Sequence, residues 1–135
     1  MANALYDKGR ESFLRAEISW NTDDIKVVLV DLADYTQDLA NDQFLDDIPV
    51  AARVATSPNL SSKTTTDGVA DSADVTFSLV TGDQSEAIVI YQDTGNESTS
   101  RLIAFIDTAT GLPVTPNGGD ITVQFDNGAN KIFKL

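Results

Sequence analysis

The chain has 135 residues, no cysteine, no histidine and a formal net charge of −12, from 21 acidic and 9 basic residues. This composition excludes disulfides, thiolate and imidazole metal sites, and every catalytic triad that needs a histidine. It also argues against nucleic acid and anionic membranes as partners, because both are bound through clustered basic side chains.

The length fits a single domain. No apolar run approaches the roughly 20 residues of a membrane span. The first residues lack the basic start and apolar stretch of a signal peptide. We therefore expect a soluble protein that is made in the cytoplasm.

Residues 3–16 predict an amphipathic helix with Asn3 as its N-cap. Leu5, Tyr6 and Phe13 fall on one side of this helix, and charged residues occupy the rest. Two interpretations stay open for it. The helix covers one end of a sheet, or it is a docking arm that lies on a partner.

Residues 25–31 predict the clearest strand of the first half, with apolar side chains on both faces. This pattern is typical of a central strand that is covered on both sides. Trp20, the only tryptophan, is expected to pack against that sheet. The acidic stretch 35–45 predicts a loop with one helical turn, and the polar segments 53–56 and 60–66 predict an edge hairpin.

The second half predicts four strands and a closing fifth, at residues 75–80, 87–91, 102–106, 121–125 and 131–135. Asn127-Gly128 is a strong hairpin signal, which predicts that the last strand pairs back on the fourth. About eight short strands predict a mainly β fold, a single-domain antiparallel β-sandwich or jelly roll with a short N-terminal helix. In this reading residues 1–20 are a helical arm and residues 21–135 the sandwich.

No arrangement of residues carries a catalytic motif, and we expect neither enzymatic activity nor a cofactor or metal. Acidic pairs such as Asp46-Asp47 lie in turn-like segments, where carboxylates stay solvated and ionised, unlike those of a glycosidase cleft. Loops 93–97 and 117–120 offer oxygen ligands for calcium. They lack the EF-hand spacing, however, and β-turns require the same residue types.

The strands at 87–91 and 102–106 are apolar on both faces. A sandwich core covers only one face, so the other must meet a helix, a loop or another subunit. Aromatic side chains there, such as Tyr91 and Phe105, would stack on sugar rings if they were exposed together. Strand positions of this kind more often lie in a core or a subunit interface.

Several stretches of turn and strand residues resemble a family of small structural proteins of tailed bacteriophages. They are residues 1–10 (Met-Ala-Asn-Ala-Leu-Tyr-Asp-Lys-Gly-Arg), Trp20 with 25–31, 48–55, 82–87, 106–121 (Ile-Asp-Thr-Ala-Thr-Gly-Leu-Pro-Val-Thr-Pro-Asn-Gly-Gly-Asp-Ile) and 126–132. The resemblance covers nearly the whole chain and includes no active-site motif. It therefore implies a type of protein and no mechanism.

The resemblance implies a jelly-roll capsid cement (decoration) protein on the outer head surface of a virion. Such a protein would bind the major capsid protein and itself, as a homodimer or homotrimer, and stabilise contacts between capsid subunits. A tail, head-fibre or baseplate component, and a carbohydrate-binding β-sandwich module, are the alternatives. The residues predicted to contact capsid or sister subunit are Leu5, Tyr6, Arg10, Phe13, Arg15, Trp20, Tyr91 and Phe105.

Overall fold

The computed structural model of the chain describes residues 4–125, 128–129 and 131–135. Its elements are β1 (Ala4–Leu5), α1 (Asp7–Leu14), β2 (Ile25–Val30), β3 (Arg53–Thr56), β4 (Val69–Ala70), β5 (Val75–Phe77), β6 (Ala87–Gln92), β7 (Leu102–Ile106), β8 (Ile121–Val123) and β9 (Phe133–Lys134). Short 3-10 turns lie at Leu45–Asp47, Val50–Ala52 and Thr66–Gly68. The main sheet has five antiparallel strands in the order β1-β7-β6-β2-β3, and two ladders, β4–β9 and β5–β8, accompany it.

Strand β2 lies inside the main sheet, between β6 and β3. Ile25, Val27 and Leu29 point to one face of the sheet, and Val28 and Val30 to the other. All five side chains are 0% exposed. The prediction of a central strand covered on both sides is therefore confirmed.

The first face of the main sheet packs on the two ladders. Phe77 and Val123 from the β5–β8 ladder and Phe133 from β9 share one hydrophobic core with Leu29 and Ile90 of the sheet. Two β layers that enclose a common core form a sandwich. The structure thus confirms the mainly β fold with one short helix near the N-terminus, while the jelly-roll topology stays a prediction.

The second face of the main sheet is covered by residues 31–52 of the same chain. Tyr35 and Ile48 from this segment form a second core with Val89 of β6 and Phe105 of β7. Of the three coverings that the sequence allowed, a loop is the one found. Residues of the same chain cover both apolar faces of β6 and β7, so these faces no longer argue for an oligomer.

Aspartate carboxylates hold the backbone of this covering segment in place. Asp42 Oδ2 accepts hydrogen bonds from the Tyr35 hydroxyl at 2.6 Å and from the Asp38 backbone N–H at 3.0 Å. Asp47 Oδ2 accepts one from the Gln43 N–H at 2.7 Å. Short carboxylate side chains satisfy backbone donors that no helix or ladder uses. Part of the acidity of the segment therefore serves its own fold.

The N-terminal helix is shorter than the sequence predicted. Residues 4–5 pair with β7 as β1 instead of forming the first helical turn, and Tyr6 precedes the first helical residue. Asn3, the predicted N-cap, lies outside the described residues. Ala16 has a φ of 60°, a left-handed conformation that a helix cannot continue through, so α1 ends at Leu14.

The predicted edge hairpin is wrong in its second half. Strand β3 is an edge of the main sheet, as predicted, but it pairs with β2. Residues 60–66 form no strand. The start of this segment lies alongside β2 instead, where the Leu60 N–H donates to the Ile25 carbonyl at 2.7 Å. The segment then runs on to the Thr66–Gly68 turn.

The last strand also pairs differently from the prediction. Strand β9 pairs with β4 and not with β8, because Phe133 joins the first-face core beside Trp20. The predicted hairpin turn includes Asn127, which lies outside the described residues. Strand β5 ends at Phe77, short of the predicted residue 80, and Leu79 takes a left-handed φ of 50° soon after it.

Candidate docking surface

The structure places most of the predicted contact residues in the interior of the chain. The exposed fractions are 7% for Leu5, 0% for Tyr6, 4% for Trp20, 3% for Tyr91 and 0% for Phe105. Phe13 is half-buried, and Arg10 and Arg15 are exposed. The side chains of the first five can meet a partner only if this fold opens. Contact through Arg10, Arg15 and the rim of Phe13 stays a prediction.

Helix α1 is seated on the main sheet. The Tyr6 N–H donates to the Ile103 carbonyl at 3.0 Å, and the next helical turn brings Gly9 against Leu102 and Ile103. Helix α1 therefore covers the part of the β7 edge that the short strand β1 leaves unpaired. This agrees with the first of the two interpretations from the sequence, in which the helix covers one end of a sheet. Its outward side still carries the exposed arginines.

A buried hydrogen-bond chain connects the start of α1 to the covering segment. The Tyr6 hydroxyl lies 2.8 Å from the Tyr35 hydroxyl, which donates to Asp42 Oδ2. Since the Tyr35 proton is used by Asp42, the Tyr6 hydroxyl is the donor of the first bond. Burial raises the pKa of Tyr6 and of Tyr35 well above the usual range, so both phenols are neutral donors.

An apolar groove opens between α1, β4 and β9. Its volume is about 190 Å³, and its lining is Phe13, Trp20, Thr65, Gly68, Ala70, Phe133 and Leu135. The Phe133 ring centroid lies 6.0 Å from that of Phe13 and 5.3 Å, edge to face, from that of Trp20. The Trp20 indole N–H donates to the Asp71 carbonyl at 3.2 Å, which fixes the aromatic floor of the groove.

One exposed aliphatic side chain lines this groove. Leu135, a lining residue, is 61% exposed. The other large hydrophobic side chains exposed to this degree in the described part of the chain are Leu14, at 89%, Val50, at 72%, and Leu79, at 75%, and none of these three lines the groove.

Charge is distributed unevenly between the ends of the protein. Residues 7–15 and 131–135, which border the groove, hold five basic and two acidic residues. The remaining sequence holds four basic and nineteen acidic residues, and the covering segment 31–52 has six aspartates and no lysine or arginine. The basic side chains of α1 are paired with Asp7 and Glu11, and Asp67 and Asp71 lie in and beside the groove wall at 65–70, so the groove itself has no net basic character.

A second exposed apolar feature lies at the far end of the sheet. We call residues 46–51 the Val50 turn; Asp46, Asp47, Pro49, Val50 and Ala51 are all exposed there. The turn continues into Ala52, whose carbonyl accepts from the N–H of Asp31, just after β2 ends. The groove lies near the other end of β2, where Ile25 pairs with Gln92, and Gln92 Nε2 donates to the Glu17 carbonyl after α1.

One group of carboxylates has the geometry of a possible cation site. Carboxylate oxygens of Asp31, Asp34 and Asp83 lie within 4.8 Å of one another. Asp31 Oδ1 already accepts a hydrogen bond from the Ala33 N–H at 2.9 Å. Acidic groups often lie together without an ion, so this geometry by itself assigns no metal.

Sequence reasoning missed the groove, because three of its walls come from distant segments. The strand that holds Phe133 was predicted to pair with the strand at 121–125, and it pairs with β4 instead.

No protein-family model matches the chain, and no curated protein matches it. Among the described residues, no helix is long and apolar enough to cross a membrane.

Proposed function

We propose that this chain is a structural protein of a tailed-bacteriophage virion, and within that class a capsid cement (decoration) protein of the outer head surface. The observation that carries the proposal is the sequence resemblance, which extends from residues 1–10 to residues 126–132. The proposed partners are the major capsid protein and further copies of this chain. No catalytic step is part of the proposed role.

A cement protein has to resist deformation while it bridges neighbouring capsid subunits. The β2 side chains Ile25, Val27, Val28, Leu29 and Val30 are fully buried between the ladders and the covering segment, which supports a rigid body. Many copies on one particle add small contact energies through avidity. A net charge of −12 also supports the role, because it keeps coated particles apart.

Copy number in purified particles tests the proposal. A cement protein follows the symmetry of the head, so we expect on the order of hundreds of copies per particle. A tail, head-fibre or baseplate component, the second reading of the same resemblance, would number roughly a dozen or fewer. Stained gels or a particle reconstruction measure this ratio against the major capsid protein.

Rebinding gives a functional test of the cement role. Particles assembled without this protein should take up the purified chain to saturation and then resist heat better than untreated particles. Absence of the chain from purified virions overturns both structural assignments. Presence at a few copies, without rebinding to heads, overturns the cement assignment alone.

The carbohydrate-binding alternative required exposed aromatic rings on the second-half strands. Tyr91 and Phe105 are 3% and 0% exposed, and Phe125 is 5% exposed. These rings are occupied by the protein's own cores and cannot stack on a sugar in this fold. No observation on this structure favours that function.

A further inference from the structure

We propose that Leu79 is an anchor side chain through which this protein binds a different protein, one that offers an apolar pocket bordered by lysine or arginine side chains. The inference deepens the proposed function and rests on it, because the pocket would lie on the major capsid protein. It names the side chain that makes the contact and the chemistry of the surface that receives it.

The first argument is the exposure of Leu79 against the pattern of its own strand. Side chains alternate between the two faces of a strand, so Leu79 should join Val75 and Phe77 on the buried face. Instead Leu79 is 75% exposed, and Val80 takes the buried position at 3% exposed. The left-handed φ of 50° at Leu79 breaks the alternation. We call residues 78–80 the Leu79 turn.

The second argument is that hydrogen bonds hold this turn in place. The Leu79 N–H donates to Asp120 Oδ1 at 3.0 Å, and the Val80 N–H donates to the Gly119 carbonyl at 3.0 Å. The Val80 carbonyl in turn accepts from the Gly118 N–H at 2.7 Å. The leucine is therefore presented on a fixed support, which lowers the entropy that a partner must order on binding.

Exposure and a left-handed backbone together mean that Leu79 costs stability in the free protein. A single exposed leucine is common on protein surfaces, whereas a bulky residue with this φ is a genuine outlier. Within the described part of the chain, Leu79 is the one large apolar side chain with a positive φ. Backbone strain of this kind is concentrated at ligand contacts. Burial in an apolar pocket of a partner would supply the hydrophobic free energy that folding leaves unused.

The third argument is the charge around the turn, which selects a basic partner. Residues 64–100, which include the Leu79 turn, hold seven acidic residues and no lysine or arginine. Asp83, three residues beyond the turn, and Asp120, whose carboxylate accepts the Leu79 N–H, are both exposed. Lysine or arginine side chains beside the partner's pocket would face these carboxylates.

The same charges argue against a second copy of this chain as the partner. Of the nine basic residues, all within the described part of the chain, six form salt bridges with their own chain, and Lys63 donates to the Asp23 carbonyl. The two others, Lys131 and Lys134, belong to a chain that carries 21 acidic residues. Two copies would therefore repel each other at the Leu79 turn. The six paired side chains are Lys8, Arg10, Arg15, Lys26, Arg53 and Arg101.

Three variants test the anchor. Leu79→Gly removes the side chain and suits the left-handed backbone, so this variant should unfold at the same urea concentration as wild type or a higher one. Leu79→Met keeps a flexible apolar side chain of similar volume and should keep the binding. Val50→Ala shortens another exposed aliphatic side chain, at 72%, and is the matched control outside the Leu79 turn.

Binding to heads assembled without this protein is the readout, measured as the protein concentration at half-saturation. Wild type, Leu79→Met and Val50→Ala should bind alike, and Leu79→Gly should need about tenfold more protein, the loss expected of an anchor residue. Added salt should weaken the binding of wild type, because it screens the attraction to basic side chains. Asp83→Asn should weaken binding as well, and Asp46→Asn in the Val50 turn is its control.

Equal binding of Leu79→Gly and wild type would overturn the inference and leave the proposed function intact. Binding that salt does not weaken would overturn the basic character of the pocket, and a lower urea midpoint for Leu79→Gly would contradict the strain at this residue. A wild type that self-associates at roughly 100 µM, while Leu79→Gly stays monomeric, would make a second copy the occupant and overturn the inference. Heads that take up no wild type at all would overturn the proposed function, and the inference with it.

Discussion

Gly9 of α1 lies so close to Leu102 of β7 that no side chain fits between them. A Cβ atom built on Gly9 would lie 2.6 Å from the Leu102 carbonyl oxygen and 3.2 Å from the Ile103 Cα atom. Both obstacles are backbone, which cannot rotate away as a side chain can. The register between β6 and β7 shifts at the neighbouring Ile90 and Tyr91, so the helix meets the sheet at an irregular point of the ladder.

We expect Gly9→Ala to lower the free energy of unfolding by about 1–3 kcal/mol, the range for overpacking. Alanine improves helix propensity by about 1 kcal/mol, and our expectation is that the clash outweighs this gain. Urea unfolding measures the difference. Lys8→Ala in the same helix is the control and should change stability by less than about 0.5 kcal/mol. Unchanged or increased stability of Gly9→Ala would contradict the close packing.

The buried hydrogen bonds from Tyr6 to Tyr35 and from Tyr35 to Asp42 predict which of two conservative variants is the less stable. Tyr35→Phe leaves the buried Tyr6 hydroxyl without its acceptor, which costs about 1–3 kcal/mol. Tyr6→Phe removes the terminal hydroxyl and leaves the bond from Tyr35 to Asp42 intact, which costs about 0.5–1.5 kcal/mol. Chemical unfolding of both variants checks this order, and a larger loss for Tyr6→Phe would show that the hydrogen bonds run differently.

Alkaline pH should destabilise the fold through the same phenols. Burial raises the pKa of Tyr6, Tyr35 and Tyr91 above the ordinary value of 10.0. The unfolded chain therefore releases these protons first, and stability that is complete below about pH 10 falls as the pH rises further. Unfolding free energies on both sides of pH 10 should show this slope, and it should be shallower in Tyr6→Phe. Equal slopes would contradict the assignment.

Acid pH should act through one ion pair at the end of β2. Lys26 Nζ lies 2.9 Å from Asp93 Oδ2, and this bond, with the Gly95 N–H, lowers the pKa of Asp93 below 3.8. The ionised carboxylate thus stabilises the fold above about pH 4, and this contribution disappears as the pH falls through the lowered pKa.

We expect Asp93→Asn to cost about 0.5–1 kcal/mol near neutral pH, the value of a partly exposed pair. The difference in stability between Asp93→Asn and wild type should vanish at low pH, because the protonated aspartate of the wild type and the asparagine of the variant are both uncharged. Asp46→Asn, at an exposed turn position, serves as the control and should show little change at either pH. A deficit that persists in acid would indicate a packing effect instead of the ion pair.

The sequence predicted β2, β6 and β7 nearly to the residue, because their apolar runs are long and fill both faces of a covered sheet. Ile25–Val30 and Leu102–Ile106 need no tertiary information to be recognised. The pairing of β9 could not be read in the same way. Asn127-Gly128 favours a local hairpin, whereas Phe133 gains more by packing against Trp20, a residue far away in the sequence.

The predicted contact residues failed for a related reason. Tyr91 and Phe105 were chosen because a two-sided apolar strand needs a cover, and the pattern could not reveal that residues 31–52 supply it. That segment is acidic and irregular, and its buried members Tyr35 and Ile48 are widely spaced in the sequence. Only long-range packing identifies it as a layer of the fold.

The alternation of early and late strands in the main sheet determines when this protein can fold during synthesis. β2 leaves the ribosome with both faces apolar, and its neighbour β6 begins only at Ala87. The other neighbour, β3, is a four-residue edge strand that gives little cover. A nascent chain that stops before β6 therefore exposes the apolar strand β2 with one edge unpaired, which makes truncated products of this gene candidates for aggregation and chaperone binding.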